Sequence, residues 1–260
     1  MSKLTDILSA KREKPLLMTH LITGYPTLES SLGIARAMIR GGASILEIQI
    51  PFSDPVADGP AIVEASHEAL RGHVKVEDAL ALAKKLGEEH TTPLVLMSYA
   101  NPIFRYGITR FVEHAAEAGV AGIILPDIPI DTEEGKEFLA AAKKFSVHPI
   151  LVVSPGVPEE RLRFLTKEAS GFIYSTSRQG ITGADSKFGS ELKNFLSLLH
   201  KMTDIPVAVG FGVKSKEDVL SLASQAEIIV VGSAFVSLIK NTELKTVPLA
   251  IEDLVKKLLP

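Results

Sequence analysis

The chain of 260 residues contains no cysteine. That excludes disulfides, thiolate metal sites and cysteine nucleophiles, and it is compatible with a reducing cytoplasm. Charge of one sign is lacking too: 28 Lys and Arg stand against 31 Asp and Glu, a net charge of −3. So even a balance gives no sign of a polyanion-binding surface, a disordered tail or a membrane patch. Any phosphate the protein binds is then held locally, by backbone groups or by one or two side chains. Long hydrophobic runs are also missing. The stretch "IIVVGSAFVSLI" is too short to span a bilayer and is interrupted by Gly232 and Ser233. The opening "MSKLTDILSAKREKP" lacks the apolar core of a signal peptide. The expectation is a soluble, cytoplasmic protein. The sequence shows no metal-ligand cluster, no Ser/His nucleophile pair and no nucleotide fingerprint.

Short β-branched runs alternate with helical patterns along the whole chain. The strand candidates span 16–22, 45–50, 93–98, 122–126, 148–154, 171–176, 206–210 and 227–232. Apolar residues at helical spacing follow each of them, as in "SSLGIARAMIRGG" and "VEDALALAKKLGEEH". Eight strand–helix units in this length predict an α/β fold, a closed (β/α)₈ TIM barrel. Leu4, Ile7 and Leu8 form one stripe of an additional N-terminal helix. An open doubly wound sheet is the competing arrangement, but "LITGYPT" after the first strand is not its glycine-rich turn. No composition break marks a linker, so residues 1–260 are expected to form one domain.

The second strand, "ILEIQI", carries two polar residues among apolar ones. Strand side chains alternate in facing, so Glu47 and Gln49 point into the barrel while Leu46 and Ile48 meet the helices. A carboxylate among apolar neighbours loses hydration, which suits it to general acid–base work near neutral pH. A lone strand glutamate more often has a structural role. At the C-terminal end of a barrel strand, where such enzymes place their chemistry, catalysis is the stronger reading. The loop "PFSDPVADGP" follows, with Asp54 and Asp58. Asp-Pro and Asp-Gly are ordinary turn formers, but Pro51, Pro55 and Pro60 limit the loop's freedom and so fix its side chains.

At the other end, "VGFGVKS" follows strand seven and "VGSAF" follows strand eight. These two loops commonly form a phosphate site in barrels. Gly210 and Gly212 allow close backbone approach to an anion, and Gly232 and Ser233 sit where a helix begins. The long polar loop after strand six, "TSRQGITGADSKFGSE", has the character of a lid.

Together these segments resemble the tryptophan synthase α-subunit family over essentially the whole chain. "LEIQIPFSDPVADGPAI" is similar to the family signature "LE-x-G-[IV]-PFSDP-x-ADGP-x-I", with support from "YANPIFRYG", "LPDIPI", "SRQGITGA", "GFGV" and "GSAFV". The resemblance implies retro-aldol cleavage of indole-3-glycerol phosphate to indole and glyceraldehyde 3-phosphate. It implies no cofactor in this chain, and a pyridoxal-phosphate β subunit that receives the indole in an α-β-β-α complex. By motif position Glu47 is the acid–base group, Asp58 its partner at the indole nitrogen, and Tyr174 the nearby tyrosine. His20, Gln49, Ile62, Tyr99, Leu125 and Phe211 fall on the indole pocket. Gly183, Gly212, Gly232 and Ser233 fall on the phosphate contacts. Arg178 and Thr182 fall on the lid loop, and Pro51, Asp54 and Pro55 on the loop facing the partner.

Three positions depart from the pattern. His20 replaces an aromatic, Ile22 a threonine, and Gln49 a glycine. By alternation His20 and Ile22 should face inward beside Glu47 and Gln49. Gln49 or His20 could bond Glu47 or fill indole space, and glycine at 49 would then free room and raise turnover. Two readings remain open at this point. One is a lyase working with a β subunit or alone. The other is a weakly active or altered-specificity subunit that acts mainly as binding partner and activator.

Overall fold

A computed structural model describes residues 2–176, 190–210 and 212–260. Helix α1 (Lys3–Ser9) precedes strand β1 (Leu16–Ile22), α2 (Leu28–Gly41) and β2 (Ile45–Gln49). Two helices, α3 (Pro60–Arg71) and α4 (Val76–Glu89), lead to β3 (Leu94–Met97). Two more, α5 (Ala100–Tyr106) and α6 (Ile108–Glu117), lead to β4 (Val120–Ile124). Then α7 (Glu133–Phe145), β5 (His148–Val153), α8 (Glu159–Glu168) and β6 (Ile173–Thr176) alternate. The chain ends with α9 (Ser190–Met202), β7 (Val207–Gly210), α10 (Lys216–Leu222), β8 (Ile228–Val231), α11 (Ser233–Lys240) and α12 (Val247–Leu258).

All eight strands are parallel and close into a barrel, β1 pairing with both β2 and β8. The expected architecture is therefore present, with α1 as the additional helix. Parallel strands need a crossover on the outside, and the helices supply it. The two-residue period separates two apolar clusters. Leu17, Leu46, Ile48 and Leu96 pack outward against the helices. Met18, Ile45, Val95 and Ile150 fill the barrel. Leu4 of α1 is fully buried in that inner cluster, with Ile7 and Leu8 packed against it, so the predicted stripe plugs the N-terminal mouth. No helix among the described residues is long and apolar enough to cross a membrane.

Helix ends follow local chemistry. Thr27 caps α2 in a reciprocal capping box with Ser30, and Gly42 ends it at φ 107°, a left-handed conformation that glycine adopts without strain. Pro60, expected to stiffen the loop, instead opens α3 at its first position, where a missing N–H is harmless. Helices α3 and α5 are additional to the one-helix-per-strand reading. Ile22 is a further correction. At the last position of β1 it packs with the larger apolar cluster, apart from the inner one, and is absent from the cavity wall.

Candidate active site

Parallel pairing sets every strand's C-terminal end on one face of the barrel. The β1–β2 register places His20 opposite Glu47 and Ile22 opposite Gln49. One cavity opens there. Its wall includes His20, Glu47, Asp58, Ile62, Tyr174, Gly212, Gly232 and Ser233. These are eight of the positions singled out from sequence, drawn from β1, β2, the loop after it, α3, β6 and the turns after β7 and β8. Met97, Ile124, Val152 and Val230 complete an apolar wall. Sequence reading passed over those four, although inward alternation along β3, β4, β5 and β8 was the signal that could have found them.

Each carboxylate has its own donor. Glu47 is only 4% exposed, and its Oε1 lies 3.1 Å from His20 Nδ1. Its Oε2 is buried with no hydrogen-bond partner among the described residues. Asp58 Oδ2 accepts from Gln49 Nε2 at 2.7 Å, a charge-assisted bond. The Tyr99 hydroxyl lies near enough to Asp58 to favour its charged form. The same hydroxyl accepts from the backbone N–H of Ala57 at 3.2 Å, and its ring stacks on Phe52 with centroids 5.5 Å apart. A turn bond from Asp58 N to Pro55 O adds a further tie. Asp58 is thus aimed by a loop tied down around Tyr99 as much as by its prolines.

The electrostatics follow from burial and these partners. Burial pushes the Asp58 carboxyl above its ordinary range; the Gln49 bond, the His20 charge and the nearby Tyr99 hydroxyl pull against this, and the Glu47 charge adds to it. For His20, burial opposes the charged ring, but the Glu47 charge, the bond to Glu47 and the Asp58 charge outweigh it and raise the imidazole above its usual value. Burial, with the Glu47 and Asp58 charges, holds the Tyr174 phenol well above its normal value, so it is neutral. Gly210 makes room for it: a Cβ there would lie 2.7 Å from the Tyr174 hydroxyl.

Across the cavity, Gly232 precedes α11; Phe235 N–H donates to Gly232 O at 2.9 Å, and the N–H groups of Ser233 and Ala234 come before that first helical bond. Gly212, at φ 80°, lies in open space on the neighbouring turn. Three calls for the indole pocket sit outside the wall. Gln49 is fully buried and reaches the site through Asp58; Tyr99 is fully buried and acts on the loop; Leu125 packs in the outer cluster. Asp54 is exposed on the loop after β2, whereas Pro51 and Pro55 are buried. Val56 on the same loop is 74% exposed, and Phe104 of α5 is an exposed apolar residue on the same face. Arg178, Thr182, Gly183 and Phe211 lie outside the described residues. Asp127, not singled out before, accepts from Ala100 N at 2.9 Å and anchors the start of α5. No cluster of three or more metal-ligating side chains occurs among the described residues.

The family model described as "Tryptophan synthase alpha chain" matches residues 8–257. A tryptophan synthase alpha chain of Desulforapulum autotrophicum is 38% identical over 244 residues, covering 94% of this chain and 96% of the relative. One from Methanosarcina mazei is 42% identical over 237 residues, covering 91% and 85%. Among solved structures, Mycobacterium tuberculosis tryptophan synthase superposes with a TM-score of 0.89 at 34% identity, covering 99% of this chain and 96% of that one. A Pyrococcus furiosus tryptophan synthase alpha-subunit mutant gives 0.86 at 32%, covering 94% and 98%.

Proposed function

The chain belongs to the tryptophan synthase alpha chain family, a lyase that cleaves indole-3-glycerol phosphate and works with a β subunit, and on that footing we propose how its own residues carry the reaction. One observation carries the reading. A buried carboxylate, Glu47, and a half-buried one, Asp58, each held by a separate donor, face glycine turns and a helix N-terminus across one apolar cavity. That layout suits a flat apolar ring with an N–H at one end and a phosphate at the other.

Cleavage breaks the bond between indole C3 and the hydroxyl-bearing carbon of the glycerol arm. A proton must be added at C3, and another must leave the hydroxyl as the carbonyl of glyceraldehyde 3-phosphate forms. Glu47 can do both. The neutral acid gives its proton to C3, and the resulting carboxylate takes the hydroxyl proton. Oε1 is committed to His20, and Oε2 is the oxygen left to exchange. Protonation at C3 leaves positive charge at the ring nitrogen, where Asp58 stabilises it. Tyr174, a neutral phenol, can donate or accept beside them. Met97, Ile124, Val152 and Val230 exclude water from the ring. In this reading pyridoxal phosphate belongs to the β subunit, and residues 1–260 act as one domain.

The direct test is indole release from indole-3-glycerol phosphate by the purified chain, with and without β subunit. Release above the uncatalysed rate is expected in both, and none in either would overturn the assignment of residues. The phosphate end has its own test. A Cβ at Gly232 would point at the His20 ring from 3.5 Å, so the branches of a valine would occupy the space in front of the α11 amides. Gly232→Val is expected to weaken glycerol 3-phosphate binding by more than about tenfold, the scale of a charge-assisted hydrogen bond. Indole binding should change little. Calorimetry with both ligands checks this, and equal losses would place the phosphate elsewhere.

A further inference from the structure

His20 is the ring that joins the two ends of the cavity. Its Nδ1 faces Glu47 at 3.1 Å, and its Cβ, Cγ and Cδ2 would each lie 3.5 Å from a Cβ built on Gly232. The residue is 6% exposed. Its Nε2 is buried in the wall without a hydrogen-bond partner among the described residues. A buried ring nitrogen with no partner, set between an acid–base carboxylate and an anion-binding turn, is an unusual thing to leave unsatisfied.

The geometry points to a second function for His20 in this lyase: Nδ1–H holds Glu47 while Nε2–H donates to an oxygen of the substrate's glycerol phosphate arm. The proposal deepens the lyase reading and rests on it for the phosphate-bearing substrate. Of the two aromatics in the family pattern at this position, phenylalanine has no donor and tyrosine has a single hydroxyl, so a ring that donates at both ends would be particular to chains with His20.

Charge supports it. Glu47 and Asp58 set two carboxyl groups in one site, the first buried and the second half-buried, and the substrate brings a phosphate dianion. The charged and titratable groups facing His20 are Glu47 from β2, Asp58 from the loop after it and the neutral Tyr174 phenol from β6; the neighbouring turn after β8 contributes Gly232 and Ser233. No cationic side chain is in the described cavity wall. An imidazolium there offsets repulsion between the Asp58 carboxylate and the phosphate, and it carries a proton on both nitrogens, as the two contacts require. The raised imidazole pKa agrees with that state.

The test uses the full chain with its β subunit and three variants. His20→Phe removes both donors. His20→Asn can keep a donor near the Nδ1 position, and His20→Gln one near Nε2. The probes are glycerol 3-phosphate and indole, titrated by calorimetry between about pH 7 and 9, where the phosphate stays a dianion. His20→Phe and His20→Asn are expected to weaken glycerol 3-phosphate by about tenfold, with His20→Gln recovering most of the loss. Indole affinity should stay within about twofold throughout. In the wild type, glycerol 3-phosphate affinity should fall as pH rises through the His20 titration, followed by imidazole NMR, and His20→Phe should lack that step. Equal glycerol 3-phosphate affinity in all four proteins would overturn the proposal, as would parallel losses for both ligands, which would mark His20 as a shape-filling ring. If His20→Phe does not fold, the Asn and Gln pair and the wild-type pH step decide alone. A wild type that binds glycerol 3-phosphate through His20 yet releases no indole would sink the lyase roles and leave this contact standing. Indole release unaffected by His20→Phe, with unchanged glycerol 3-phosphate affinity, would do the reverse.

Discussion

Glu47→Gln should leave the barrel folded and reduce indole release by ~10²–10⁴-fold, the usual contribution of a positioned acid–base group. The change is nearly isosteric, and the amide oxygen can still accept from His20 Nδ1, so the 3.1 Å contact and the packing around β2 survive. On the proposed mechanism, what is lost is the ability to give a proton to C3 and take one from the hydroxyl. The amide does neither at any accessible pH. Turnover at saturating substrate, in the presence of β subunit, reads the effect, and an unchanged thermal transition confirms the fold. Near wild-type release would remove Glu47 from the mechanism.

Gln49→Met has the second largest expected effect, and it is one of pH. Methionine fills similar volume but donates no hydrogen bond, so Asp58 loses its 2.7 Å partner. Burial already raises the Asp58 pKa, and the Gln49 bond is the largest influence opposing it. Without that bond the pKa rises further. At a given pH less Asp58 is ionised, and on the proposed mechanism only the ionised form stabilises positive charge at the indole nitrogen. The acid limb of the kcat/KM profile should therefore move to higher pH. The loss should be about tenfold or more near the foot of that limb and small at alkaline pH. Stability should change less, because methionine also removes Gln49 Oε1, a buried acceptor with no partner among the described residues. Superimposable pH profiles for the two proteins would show that Gln49 does not tune Asp58.

This reverses the expectation drawn from sequence, in which Gln49 crowds the indole pocket and glycine would help. The difference is physical. Alternation says which face a side chain takes, and it correctly sends Glu47 inward and Leu46 and Ile48 outward. It does not say which neighbour the side chain reaches. Gln49 folds against Asp58, nine residues on, because the loop returns Asp58 over the end of β2 and Tyr99, from the end of β3, ties it there. That return is a tertiary event with no local signature. His20 and Glu47 meet through the β1–β2 register, and register depends on both strands at once. The barrel itself was legible, since eight buried strands with helical crossovers leave a strong period. Helix α3 was harder to see, because Pro60 reads as a loop residue until Gly59 is known to be the cap.

Leu4 gives the barrel a direction. With that side chain in the inner cluster and Ile7 and Leu8 packed against it, the tube is blind at its N-terminal end. Traffic is then one-sided: the phosphorylated substrate arrives, and both products depart, over the same rim. A β subunit placed to collect indole at that rim would meet the apolar surface that Val56 and Phe104 expose. Seven residues at the start of the chain, far from any reacting atom, thereby dictate on which side of the molecule the partner can be useful.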